Sequence, residues 1–217
     1  MPLKNTVQQT IDSPAMNSKK DTRKTLGKNC LFDMLKPGQI ISSFTTKKGR
    51  EITVRVVDKN DGQKLMDFIN PIFSEDTFLL RGPKDLVKIK EEQKFLNGQI
   101  KKIKNKKGIH LVAEYQKEII GSTDLRRMTF RQKHMGEIGI AISEGFREEG
   151  VGQKLLLLLE AAAKTLGLKS LFLYCFANNN RALHVYEKMG YKRVGFLPKA
   201  YEYKAGFVDS ITMYKEL

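Results

Sequence analysis

The period of the apolar positions changes several times along this 217-residue chain, and each change predicts an element. Residues 1–28 show neither a helical nor a strand period, which is how a solvated polar tail reads. Order begins at Glu51. Residues 51–57 (EITVRVV) alternate and are β-branched, so they predict a strand. Asn60 or Asp61 can then cap a helix that places Leu65, Met66 and Ile69 on one face and ends near Pro71. Further on, Leu86, Ile89, Leu96, Ile100 and Ile103 recur at spacings of three, four and seven, an amphipathic helix with a lysine run on its other face.

Strand patterns follow at 108–115, 117–125 and 137–142. A long helix over 151–166 closes at Gly167, a buried strand spans 170–176, a helix over 179–189 closes at Gly190, and final strands lie around YKRVGF and DSITMYKEL. The order β, α, α, β, β, β, α, β, α, β, β predicts an α/β layer fold around a mixed sheet. The domain organisation expected is a polar basic tail over 1–30, a lead-in over 31–50 and one folded domain over 51–217.

Composition narrows this picture. With 41% hydrophobic and 29% charged residues the chain can bury a core, which excludes wholesale disorder. Two cysteines, Cys30 and Cys175, cannot build a disulfide framework and lack the paired spacing of a structural zinc site. No run of about 18 apolar residues exists, and the first 30 residues lack an apolar signal-peptide core, so a cytoplasmic protein with no membrane segment is expected.

The net charge of +15 raises nucleic acid as a partner. Its distribution weakens that reading. Residues 1–50 carry ten basic groups against three acids and residues 84–107 nine lysines against three acids, whereas 108–217 carry sixteen against twelve. No RNP-like aromatic motif accompanies the lysines. A nucleic-acid- or ribosome-associated module using the lysine helix and tail remains the alternative, with steep salt dependence as its signature.

The segment 146–160 (FREEGVGQKLLLLLE) runs from a strand into a helix through Gly150 and Gly152. Bare backbone there admits a ligand closely, and the free N–H groups at the helix start form an anion cradle suited to a diphosphate. The plainer reading of two such glycines is a tight turn. A P-loop is excluded because Val151 and Gly152 stand where Lys and Ser or Thr belong, and the GxGxxG of dinucleotide folds is absent. The spacing that does occur is RxxGxG: Arg147, Gly150 and Gly152. Downstream, ANNNRALHVYEKMGYKRVG carries Asn179, Ala182, Tyr186, Gly190 and Tyr191 in a second spaced set.

With these two motifs in register the chain resembles the GNAT superfamily of acyl-CoA-dependent N-acetyltransferases. The resemblance implies a largely antiparallel mixed central sheet with helices on both faces, acetyl-CoA as co-substrate, an amine acceptor, no metal, and direct attack in a ternary complex. It implies that Arg147, Glu148, Glu149, Gly150, Val151, Gly152 and Gln153 form the pyrophosphate loop, and that Ile140, Ala141 and Ile142 hold pantetheine and the acetyl carbonyl. Asn179 would bind the pantetheine arm and Tyr186 would be the acid at the leaving thiolate. At about 100° per residue, Asn179 and Tyr186 return to one helix face. Without the resemblance, Asn179 reads as an N-cap and Tyr186 as a core aromatic. Homodimer formation stays open.

Acyl transfer to an amine of pKa roughly 10.4 needs a proton acceptor. Glu137, on the same side of its strand as Gly139 and Ala141, is the candidate base, with a strand-end charge partner as the equal reading; His134 is a weaker candidate, and His110 and His184 read as packing or surface residues. In the peptide-N-terminus branch a Glu stands five residues before the helix-opening Asn; Tyr174 stands there here, which argues against a base at that position. Finally, the net charge disfavours a polyamine acceptor unless a local acidic patch overrides it, and Glu144, Glu148 and Glu149 could form one.

Overall fold

The computed structural model describes residues 35–217; the expected tail and Cys30 lie outside the described residues. Its elements are β1 (Ile40–Thr45), β2 (Glu51–Val56), α1 (Gly62–Ser74), α2 (Ile89–Lys104), β3 (Gly108–Tyr115), β4 (Glu118–Arg127), β5 (Met135–Ile142), α3 (Val151–Thr165), β6 (Ser170–Phe176), α4 (Asn180–Lys188), β7 (Lys192–Tyr203) and β8 (Gly206–Glu216). The strands form one sheet in the order β1-β2-β3-β4-β5-β6-β8-β7. Every neighbouring pair is antiparallel except β5 and β6. Among the described residues no helix is long and apolar enough to cross a membrane.

Strand β1 was not predicted by the apolar pattern. It sits at the sheet edge with one partner, its register slips between Ile40 and Ser42, and only Ile41 of its six residues is buried, so no clean alternation is imprinted on it. Helix α1 also departs from expectation by running through Pro71. The proline forgoes one i→i−4 bond in the last turn, and the buried Ile72 and Phe73 beyond it hold that turn against the core. Asp61 occupies the N-cap but its side chain caps nothing. Its carboxylate instead accepts two bonds from Arg55 at 2.7 and 2.8 Å and the Asp58 N–H at 2.7 Å.

The helices cover opposite faces. Helix α3 buries Leu155, Leu156 and Leu159 on one side, so close to β4 that a Cβ on Gly121 would stand 2.9 Å from Ile142 and 3.2 Å from Leu155. Helix α2 lies on the other side, with the Phe95 ring 6.1 Å from that of His110. On this second face the β4–β5 register sets Ser122 beside Ala141, Asp124 beside Gly139 and Arg126 beside Glu137.

One irregularity organises the molecule. Parallel strands β5 and β6 pair only through Met135 with Ser170, Gly136 with Leu171 and Glu137 with Phe172. Beyond these pairs β5 stays with β4 as far as Ile142, and β6 stays with β8 as far as Phe176. The two strands therefore diverge, and the sheet opens as a wedge at its centre.

Candidate active site

The wedge opens into a cleft of about 1410 Å³. All five residues from Ile138 to Ile142 line it, although a strand sends successive side chains to opposite faces. The cleft therefore meets the edge of β5, where residues past Glu137 have no strand partner on the β6 side. Two helix starts border it as well. Gly150, in the left-handed region at φ +91°, opens α3, and Asn179 opens α4 with its Oδ1 accepting the Ala182 N–H at 3.1 Å. The unpaired first-turn N–H groups and positive dipole ends of two helices thus adjoin one cleft.

Bare backbone at the loop serves the cleft rather than the packing. A Cβ on Gly152 would stand in ordinary contact with Ile140 and Ile142, at 3.7 and 3.8 Å, and one on Gly150 would meet nothing within 4 Å. Arg147, Glu148, Gly150, Gly152 and Gln153 line the cleft, as do Ile140, Ala141, Ile142, Asn179 and Tyr186. Val151 and Glu149 do not. Val151 is buried in the core, and the Glu149 side chain turns away to the β1–β2 hairpin. There Glu149, only 2% exposed, accepts the Thr46 hydroxyl at 2.9 Å and pairs with Lys48 at 3.3 Å and Arg50 at 3.5 Å. Burial raises its carboxyl pKa, and Thr46, Lys48 and Arg50 more than reverse that, leaving it below the ordinary value. Arg50 also donates to the Gly145 carbonyl at 3.0 Å and lies 4.4 Å above the Phe146 ring. The hairpin turn thereby grips the loop.

The guanidinium of Arg147 is spent on structure, donating to the Ile142 carbonyl at 3.0 Å and pairing with Glu75 at the end of α1. Glu148 pairs with Arg181 at 3.4 Å across the cleft mouth. The acidic patch expected from Glu144, Glu148 and Glu149 is thus not assembled, because the last two side chains are neutralised in different directions. Lys47 and Arg181, absent from the sequence reading, line this end of the cleft.

The other end lies between α2, β3, β4 and β5. Glu137 lines it and accepts a bond from Arg126. His134 does not line the cleft; its carbonyl accepts the Lys169 N–H at 2.8 Å. Asp124, unmarked in the sequence, faces Gly139 so closely that a Cβ there would stand 3.1 Å from its Oδ1. Burial pushes its carboxyl up to about 6, with Glu137 adding to the rise and Lys102, Gln99 and Arg126 opposing it. His110 is no simple packing residue. Its Nε2 meets the Ser122 hydroxyl at 2.8 Å, both residues line the cleft, its Nδ1 has no partner, and burial pushes it down to about 4. Among the described residues no three His, Cys, Asp or Glu side chains are grouped to hold a metal ion.

Tyr186 sits in the core with its ring 6.0 Å from that of Tyr191, yet it also lines the cleft. Burial, reinforced by Cys175, raises its pKa well above the ordinary phenol value, so it keeps its proton. Cys175 is buried too, and burial pushes its thiol up to about 11, as suits a core residue rather than a nucleophile. An aromatic wall completes the cleft, with Tyr201 stacked on Phe176 at 3.8 Å and Phe78 edge-on to Phe176 at 5.9 Å.

A parallel pair that splits at mid-sheet, with a glycine-opened helix on one arm and an Asn-capped helix on the other, defines an α/β fold built around a central cleft. The model of the Acetyltransferase (GNAT) family matches residues 67–191, and the chain belongs to that family. It is 38% identical over 60 residues to the uncharacterized N-acetyltransferase YdgE of Bacillus subtilis, a stretch that covers 28% of this chain and 38% of that protein. The chain spans at most half the length of the curated relatives it matches. A GNAT-family acetyltransferase from Streptococcus pneumoniae superimposes with a TM-score of 0.69 at 25% identity, over 76% of this chain and 99% of that one. The yncA protein of Salmonella typhimurium, solved with its cofactor acetyl-CoA, shares the fold with a TM-score of 0.67 at 17% identity, over 76% and 94% of the two chains.

Proposed function

We propose that the chain is an N-acetyltransferase that moves the acetyl group of acetyl-CoA to a primary amine by direct attack. The observation that carries this reading is the early end of β5–β6 pairing. It leaves the edge of Ile138–Ile142 open to a cleft flanked by two helix starts. A fold relative solved with acetyl-CoA supports the choice of ligand. The pyrophosphate belongs at the backbone of Gly150–Gln153, with Lys47 and Arg181 as the nearby cations. The pantetheine arm belongs along Ile140–Ile142 and Asn179, and Arg147 acts by bracing β5 against α1.

Acetyl-CoA supplies an activated thioester; the chain's own groups handle the protons. The amine arrives as an ammonium and must lose a proton before it can form the C–N bond. Asp124 and Glu137 stand diagonally across β4 and β5, one residue pair apart on the same face, for that task. Asp124 is the better acceptor, because Glu137 is occupied by Arg126 whereas burial has raised the basicity of Asp124. As the C–S bond breaks, the Tyr186 hydroxyl donates a hydrogen bond to the sulfur, and the second proton that the nitrogen sheds on becoming an amide neutralises the thiolate. Since a thiol of pKa about 8.5 is the stronger acid, Tyr186 shares its proton with the thiolate rather than surrendering it outright.

The test is acetyl-CoA binding followed by thiol release against a panel of amines, amino acids and peptides. A rise in Tm with acetyl-CoA and amine-dependent thiol release are expected. No Tm shift and no release with any acceptor would overturn the reading.

A further inference from the structure

We propose, building on the acetyltransferase reading, that the acceptor is an unbranched diamine or polyamine whose reacting amine sits at Asp124 and whose second ammonium group is held by Glu92. Glu92 is only 7% exposed and lines the cleft, and its carboxylate has no hydrogen bond or ion pair among the described residues. Its carboxylate opens to the cleft, where a ligand cation would offset the cost of a partly desolvated charge. Its surroundings do not supply one. Arg81, on the α1–α2 connection, is engaged by Glu91 at 2.5 Å, and Glu91 itself raises the proton affinity of Glu92 on top of burial, against the opposing charge of Arg81.

Spacing and polarity describe the rest of the ligand. Glu92, Phe95 and Gln99 fall at i, i+3 and i+7 on α2, one stripe of the helix. Gln99 acts on Asp124, lowering its proton affinity, and the Phe95 ring lies against His110, so the stripe runs from one carboxylate past an apolar surface toward the other. Seven residues of helix set Glu92 on the order of 10 Å from Gln99, the α2 residue beside Asp124. A polymethylene chain fits between the two carboxylate anchors, with an ammonium at each end.

The cleft is divided by charge in the same sense. Lys47 and Arg181 stand at the loop end, where an anion belongs, while at the α2 end Arg81 pairs with Glu91, Arg126 pairs with Glu137 and Lys102 acts on Asp124, which leaves the Glu92 carboxylate without a pair. The overall charge of +15 opposes a polycation only at long range; within a Debye length of about 8 Å the local carboxylates decide.

Thiol release at saturating acetyl-CoA, measured for a length series of α,ω-diamines, spermidine, matching alkyl monoamines and amino acids, tests this. Diamines spanning the two anchors are expected to exceed the equal-length monoamine in kcat/KM by roughly 10- to 100-fold. Glu92→Gln should raise the diamine KM by a similar factor and erase the preference, while acetyl-CoA still raises Tm. Equal rates for diamine and monoamine, a preference for amino acids, or a diamine preference that survives Glu92→Gln would overturn the diamine assignment while leaving acetyl transfer standing. Loss of both the Tm shift and all thiol release would instead overturn the enzymatic reading on which it rests.

Discussion

The two ends of the cleft are built differently. The loop end is local and made of backbone: residues 138–153 form one continuous strand–loop–helix, and Asn179 opens the next helix after β6. The α2 end is made of side chains from four elements, with Glu92 and Gln99 from α2, His110 from β3, Asp124 from β4 and Glu137 from β5. A backbone site tolerates drift in its side chains and suits one invariant ligand. A side-chain site can be rewritten by single substitutions, which is where acceptor choice belongs.

The comparison is broken most severely at Gly150. Gly150→Glu forces a side chain to φ +91°, at a cost of about 1–3 kcal/mol, and places a carboxylate in the anion cradle. Acetyl-CoA binding should disappear, read as loss of its Tm shift; retained affinity would show that the cradle is not where the diphosphate sits.

At the other end, Asp124→Asn should lower kcat/KM by about 100- to 10,000-fold and remove a rise in rate with pH centred near 6. The same substitution should stabilise the fold. The raised pKa means that Asp124 favours folding fully below its ordinary 3.8 and loses that contribution as pH rises through about 6, so a permanently neutral Asn gains up to about 3 kcal/mol at pH 7 and nothing near pH 3. A slower but higher-melting variant is the expected pair of results; unchanged kinetics would return the base role to Glu137.

A smaller effect is expected where the two ends meet. Tyr186→Phe keeps the packing and removes one hydroxyl, so kcat should fall roughly 10- to 100-fold with acetyl-CoA affinity nearly unchanged. If affinity falls and kcat does not, Tyr186 is a packing residue. The mildest change is Glu149→Gln, which loosens the grip of the hairpin on the loop. The Kd for acetyl-CoA should rise about 3-fold, with kcat unaltered, by calorimetric titration.

How much was legible follows the same division. The loop, both helix starts and the order of elements along the chain from β2 onward were readable because their signals are contiguous: a glycine pair, an Asn cap and alternating apolar residues. Asp124 was not, because nothing local separates it from any other polar strand residue. Only the register of β4 against β5 and the cover of α2 create its burial. Glu92 likewise reads as one acid in a charged helix until the sheet is placed beneath it. Glu149 misled for the converse reason, since its neighbours in sequence border the cleft while a hairpin about 100 residues earlier claims its side chain. The local carboxylates on which the proposed diamine site rests, Glu92 and Asp124, are likewise brought together from afar.

The Glu149 tether also links the centre of the sheet to its rim. Edge hairpins open locally at low free energy, and their amides exchange with solvent accordingly. Strand β1 is separated from β5 by three intervening strands, yet the turn that joins it to β2 holds the loop that borders the wedge. Whatever occupies that loop therefore raises the opening free energy of the hairpin by linkage. Deuterium uptake at β1 reports, from the far margin of the sheet, whether its centre is filled.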